Sequence, residues 1–245
     1  MKQMNINLKF TVTVCCLLAA SACYGFSQGF VNLDFESANV SSYPPNSAVP
    51  VGDAIPGWTA YIGSTELTTI GYDVPQSGLA NVIIEDANFM NGTFAIQGQY
   101  SIDLQPGVQL SNGSFQEVNA SISQTGLVPV GTKSLTFDVE TFGDTPFSIS
   151  LGGTPLPLIE LGKYVNNAGV QYVEWGANIG NYAGQTEPLT VTTGVNENSS
   201  LTFDSFAFSP TFATPVPEPS KWGLFTLSSL FFAWCTCGKV RGKNS

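Results

Sequence analysis

No histidine occurs among the 245 residues of this chain, and the stretch from residue 26 to residue 215 holds neither cysteine nor arginine. Without His, the usual general base, the commonest metal ligand and every Ser–His or Cys–His nucleophile are gone. Without Cys or His, no ordinary zinc site can form. The missing Arg, and the lack of a Gly-rich loop closing on Lys-Ser or Lys-Thr, remove phosphate clamps and the nucleotide cofactors they hold. The five cysteines, Cys15, Cys16, Cys23, Cys235 and Cys237, lie in or beside the two terminal segments. The interior therefore has no disulfide framework and must be held by a core, for which about 190 residues suffice in one domain. Cations are as scarce: Lys133 and Lys163 stand against seventeen Asp and Glu between residues 26 and 215, a formal charge of −15. Such a surface repels nucleic acid and anionic membrane. It attracts divalent cations, and outside a cell calcium is the obvious one. Of the common catalytic schemes only carboxylate-pair chemistry stays open.

What the chain does have is a marked pair of ends. Lys2 and Lys9 precede an apolar run over residues 10–20 and the small residues Ala20-Ser21-Ala22, the order of a secretory signal peptide over residues 1–25. Cleavage after Ala22 is one reading and cleavage after Gly25 another. Cys23 also follows a faint lipoprotein box with Ala20 where Leu is usual; plain cleavage is the simpler alternative. At the other end, Val216-Pro217-Glu218-Pro219-Ser220 stands before an uncharged run over residues 222–238, and Lys239, Arg241 and Lys243 follow. As a helix the run spans about 25 Å, enough for the short end of a membrane crossing. The cations put its end in the cytoplasm. Cys235 and Cys237 fill the inner end of that helix.

This order of motif, apolar helix and basic tail resembles the PEP-CTERM sorting signal of Gram-negative bacteria. In that family a membrane protease-transpeptidase, exosortase, is thought to cut at the motif. The resemblance implies a protein anchored by its C-terminal helix until processing, then resident at the cell surface or in an exopolysaccharide matrix. The expected division is a signal peptide (1–25), a β-sandwich domain (26–208), a linker carrying the motif (209–221), a transmembrane helix (222–238) and a basic tail (239–245).

Between the ends, short runs of period-2 alternation predict strands. Residues 30–35 place Val31, Leu33 and Phe35 on one face. Residues 100–104 and 135–139 repeat the pattern. Further strands are expected at 81–84, 94–97, 121–124, 147–151, 190–193 and 201–208. Gln105-Pro106-Gly107, Asn112-Gly113, Pro129-Val130-Gly131, Gly152-Gly153 and residues 195–198 read as turns, and residues 41–56 as a long ordered loop. No window between the two ends has a helical period. The class is all-β, a sandwich or barrel.

Phe30-Val31-Asn32-Leu33-Asp34-Phe35-Glu36, then Ile55-Pro56-Gly57-Trp58, resemble the opening of galactose-binding-like jelly rolls, which include many carbohydrate-binding modules. Gly98-Gln99-Tyr100-Ser101-Ile102-Asp103-Leu104, residues 121–125 and 134–138, Tyr182-Ala183-Gly184-Gln185-Thr186 and residues 201–206 fit later strands in order. The resemblance implies a structural calcium near Asp34, Glu36 and Asp204. As residues of one strand, Asp34 and Glu36 would project about 6–7 Å apart on one face; the alternative is two solvated carboxylates. Asp138 and Glu140 repeat the i, i+2 spacing and are the acid pair a glycoside hydrolase would use. Trp58, Tyr61, Tyr172, Trp175 and Tyr182 are candidate sugar-stacking aromatics, with Tyr172, Trp175 and Tyr182 the binding set; core packing is the alternative, and it suits Trp58 better. Five Asn-x-Ser/Thr sequons, at Asn39, Asn91, Asn112, Asn119 and Asn198, carry no function in a bacterial protein. The expectation is a non-catalytic surface or matrix protein that contacts polysaccharide, against a carbohydrate-active hydrolase or a protein-binding adhesin.

Overall fold

The computed structural model describes residues 28–215, apart from residue 76 and residues 92–94, 112–113, 143–145 and 196–198. The expected signal peptide, sorting motif (Val216, Pro217, Glu218, Pro219 and Ser220), membrane helix and basic tail lie outside the described residues. Among those described, no helix is long and apolar enough to cross a membrane.

The chain forms β1 (Ser47–Pro50), a single turn α1 (Val51–Ala54), β2 (Thr59–Ile62), β3 (Thr65–Glu66), β4 (Thr69–Tyr72), β5 (Asn81–Asp86) and β6 (Tyr100–Gln105). It continues through β7 (Gly107–Ser111), β8 (Ser114–Val118), β9 (Ala120–Leu127), β10 (Ser134–Phe142), β11 (Phe147–Leu151) and β12 (Thr154–Pro155). It closes with β13 (Ile159–Val165), β14 (Gln171–Asn178), β15 (Thr186–Thr193) and β16 (Ser200–Ser209). One sheet has eight strands in the order β1-β4-β5-β6-β16-β10-β14-β13, and a second has six in the order β12-β11-β15-β9-β2-β3. A two-stranded ribbon, β7-β8, stands apart. Every ladder is antiparallel except β4–β5. The protein is all-β, with its two main sheets packed as a sandwich.

Alternation builds the core between the sheets. Leu135, Phe137 and Val139 of β10 and Leu201 and Phe203 of β16 face Ile122 of β9, Ile149 and Leu151 of β11, and Leu189 and Val191 of β15. Phe137 stacks on Phe206 with ring centroids 5.3 Å apart and meets Phe147 edge-on at 6.3 Å. Removing a buried Phe of this kind costs about 3–5 kcal/mol. One residue resets the parity of β16. Thr136 pairs with Ala207 but Asp138 pairs with Asp204, so β16 carries an extra residue, and Ser205 absorbs it at φ 55°. The bulge turns Phe206 and Phe208 toward the core while Asp204 and Ser205 stay on the outer face. Bulges commonly re-aim side chains in this way beside functional sites.

Three sequence expectations are corrected. Residues 30–35 are not a strand: Asn32 and Phe35 take φ 50° and 58°, which breaks the extended run. The Gln124 side chain replaces a ladder, accepting from Val31 N at 2.6 Å and donating to Val31 O at 2.9 Å. Phe35 alone of the three apolar residues is fully buried, against Trp58 and Phe206. Residues 41–56 contain β1 and α1 and are not simply a loop. Residues 95–97 form no strand, and lie in an irregular strap across the outer face of the eight-stranded sheet. The first part of the expected linker is also docked: Ser134 Oγ donates to Thr211 O, and Asn178 exchanges two hydrogen bonds with Ala213.

Candidate functional site

The outer face of the eight-stranded sheet carries side chains that a sandwich of this kind does not need for its core. At one end, β13 and β14 form a hairpin closed by Asn166, Asn167, Ala168 and Gly169. Asn166 Oδ1 accepts from Ala168 N and Val170 N, each at 2.9 Å, and fixes the turn. Its Nδ2 donates to Ala95 O and Ile96 O at 3.1 and 3.0 Å, and so ties the hairpin to the strap of residues 95–99. The register sets Tyr164 directly opposite Tyr172. Their rings stack at 5.6 Å and 28°, and Tyr164 is 44% exposed.

The strap is held from two sides by carboxylates. Glu36 Oε1 accepts from Gln99 N at 2.8 Å and Tyr100 N at 3.0 Å. A Cβ on Gly98, which sits at φ 61°, would collide with that carboxylate. Asp204 Oδ2 accepts from Gln97 N at 3.0 Å and Ser101 Oγ at 2.7 Å, and its Oδ1 from Ser205 N. Gln97 in turn reaches over the sheet and donates Nε2 to Asp138 Oδ2 at 2.5 Å.

Two cavities flank this strap. One, of about 420 Å³, is lined by Gln97, Thr136, Asp138, Tyr164, Tyr172, Glu174 and Ser205 among others. The other, of about 370 Å³, lies against Gly98, Asn166, Asn167 and Ala168. Gln97 and Tyr172 line both, so the two adjoin as one groove.

Asp204, Asp138 and Glu174 are successive cross-strand neighbours on β16, β10 and β14. Like charges directly opposite each other destabilise a sheet. Burial pushes the Asp138 carboxyl up to about 6; Gln97 pulls it down, and Glu174 adds to the rise. Burial pushes Asp204 up to about 7 against the lowering hydrogen bonds from Ser101, Gln97 and Ser205. The Glu174 charge is the main cause of the raised Tyr164 phenol. Farther along the same face, Glu85, Asp103 and Glu140 form a second acid group. Glu85 Oε2, Asp103 Oδ1 and Glu140 Oε2 are buried without a hydrogen-bond partner. Burial raises Asp103 to about 6 and Glu140 to about 7, and Glu85 well above its ordinary value.

The candidate residues divide. Tyr172 lines the groove. Trp175, three residues on, points to the opposite face, where it packs against the core and meets Phe147 edge-on at 5.8 Å. Tyr182 sits in the short 3-10 turn Gly180–Tyr182, away from the groove and against the core margin. Trp58 is a core residue, 3% exposed, whose Nε1 donates to Asn32 O. Asp34 and Glu36 lie in a turn and not on a strand face, and Glu36 and Asp204 spend oxygens on backbone amides. Among the described residues no three acids gather as a metal site. Asp138 lines the groove but Glu140 does not, so that pair is not presented together. Sequence reasoning missed Tyr164, Gln97 and Glu174. The turn Asn166-Asn167-Ala168-Gly169 between Tyr164 and Tyr172 was the available signal.

No family model matches the chain, and no curated protein matches it. Solved structures do. TmCBM61 in complex with β-1,4-galactotriose is similar over 74% of this chain and 97% of its own, with a TM-score of 0.40 and 15% identity. The enzymatically active domain of tailspike protein 4 from bacteriophage CBA120 is similar over 74% of this chain and 21% of its own, with a TM-score of 0.34 and 8% identity. Both likenesses are distant, and neither assigns a residue of the groove.

Proposed function

We propose that this protein is a non-catalytic glycan-binding component of a bacterial cell surface or extracellular matrix, and that it binds polysaccharide in the groove beside the strap. The stacked pair of exposed Tyr164 and half-buried Tyr172, beside hydrogen-bonding Gln97, Thr136, Asp138 and Ser205, carries the reading. Sugar rings offer one apolar face to an aromatic ring and a rim of hydroxyls to polar side chains, and such sites combine an apolar wall with a few placed polar groups. The sandwich is taken as a galactose-binding-like jelly roll. Export by the N-terminal signal, sorting by the PEP-CTERM motif through an exosortase and passage through a membrane-anchored form complete the proposal, supported by the order of residues 216–243.

A polysaccharide panel tests the binding. Retention without new reducing ends is the expected result. Tyr172→Ala should weaken retention about tenfold or more with little loss of stability, while Trp175→Ala should destabilise the fold and spare the groove. No retention of the wild type on any polymer overturns the reading. The competing hydrolase draws on the raised Asp138 beside Glu174, and release of reducing ends abolished by Asp138→Asn would favour it. Intact mass from hosts with and without exosortase tests the sorting: processing near residues 217–220 only in its presence is expected.

A further inference from the structure

The charge around the groove is one-sided. Asp138 and Glu174 both line the larger cavity and face each other across the β10–β14 ladder. Directly opposed residues hold their Cβ atoms about 4.5–5.5 Å apart, close enough for both carboxylates to reach one ligand atom. Asp204 lies next in the row. Among the described residues no basic side chain lines either cavity. Of the two lysines in the described domain, Lys163 pairs with Glu160 at 3.5 Å, and it follows the period of its strand away from the face that carries Tyr164. Lys133 lies over the Phe212 ring at 5.1 Å. A uronic acid in this cavity would find two carboxylates and no cation.

The same wall carries the stacked tyrosines. An aromatic face attracts an ammonium group as well as a sugar ring, and a charge-assisted hydrogen bond to a carboxylate is roughly twice as strong as a neutral one. The adjoining smaller cavity, lined by Gly98, Asn166, Asn167 and Ala168, has no charged side chain among the described residues that line it. One end of the groove thus suits a cationic sugar unit and the other a neutral unit of the same chain. Resting on the glycan-binding reading above, we propose that the groove selects polymers of 2-amino sugars. In this assignment the protonated amino group of one unit lies between Asp138 and Glu174, its ring on Tyr172, and the next unit lies against the Asn166–Gly169 turn.

Calorimetry on the exported domain at about pH 7 tests this with four probes: a β-linked glucosamine hexamer, its fully N-acetylated counterpart, a galacturonate oligomer and poly-lysine. The expected result is binding of the glucosamine hexamer at least about tenfold tighter than its acetylated form, with no binding of the galacturonate. Glu174→Gln, which keeps the side chain's size and removes its charge, should cut the preference for the glucosamine hexamer over its acetylated form to less than about threefold. Equal or tighter binding of the acetylated oligomer overturns the amine assignment and leaves the glycan reading standing. Binding of poly-lysine as tight as the hexamer would show an unselective cation surface and overturn it too. Binding of neither sugar oligomer, together with an empty polysaccharide panel, would sink the glycan reading itself.

Discussion

On its core side β10 shows Leu135, Phe137 and Val139 to a cluster of aromatic rings; on its outer side it shows Thr136, Asp138 and Glu140 to two groups of carboxylates. The same nine residues thus serve opposite purposes. The inner face stabilises by area and close packing, and each residue there has the chemistry its burial asks for. The outer face places acids opposite acids and leaves three buried carboxylate oxygens without a partner, which costs stability. Groups held against their own interest cluster where proteins bind or react. A sandwich can carry this misfit on one face because the other face, and the whole second sheet behind it, supplies the folding energy.

The largest expected effect breaks the inner face. Phe137→Ala should lower unfolding stability by about 3–5 kcal/mol in a urea titration, whereas Tyr172→Ala, on the opposite side of the neighbouring strand, should cost under about 1 kcal/mol. Similar losses from both would erase the distinction between faces. The next effect reads the outer face through pH. Asp138 and Asp103 rise from 3.8 to about 6, Asp204 from 3.8 to about 7 and Glu140 from 4.5 to about 7, burial being the first cause of each. Between the unfolded and folded values the native state holds more protons than the unfolded chain, so stability falls as pH rises through that window; below it both states are protonated and no more is gained. The melting temperature should therefore be roughly 5–10 °C higher near pH 4.5 than near pH 7.5. A flat or rising profile over that range would mean these acids are solvated. Smaller still, Glu140→Gln should add about 1 kcal/mol at pH 7.5 and nothing near pH 4.5, since it removes a buried charge only where there is one. Smallest of all, chelation with EDTA should move the melting temperature by less than about 1 °C, because Glu36 and Asp204 already serve backbone amides; a drop of several degrees would support a structural calcium there.

How much of this was legible depends on the range of the cause. Alternation is local, so the strands carrying Ile102, Phe137, Ile149 and Phe203 were visible as sequence. The segment of residues 30–35 alternates just as well, yet it folds as turns that seat Phe35 against Trp58 and Phe206, a long-range contact no local pattern shows. Nothing in the residue type announces the bulge: Ser205 takes a left-handed φ that usually signals Gly. With that parity switch hidden, the pairing of Asp204 with Asp138 was hidden as well. The spacing of Asp138 and Glu140 suggested an acid pair along one strand, whereas the acids that meet in the groove, Asp138 and Glu174, come from two neighbouring strands. Tyr172 and Trp175 looked equivalent by composition. Their separation of three, odd in a strand, sends them to opposite faces.

The shortage of cations has one more consequence, for the protein's durability. A trypsin-like protease has only two bonds to cut between residues 28 and 215, those after Lys133 and Lys163. The first is pinned: Lys133 N donates to Ser209 O, its carbonyl accepts from Ile179 N, and Ser134 begins β10 within the sheet. The second lies inside edge strand β13 and leads directly into the tyrosine pair. A domain with this inventory offers a trypsin-like protease little to cut, and if it is nicked at all by such an enzyme, the cut falls beside the tyrosine pair of the groove.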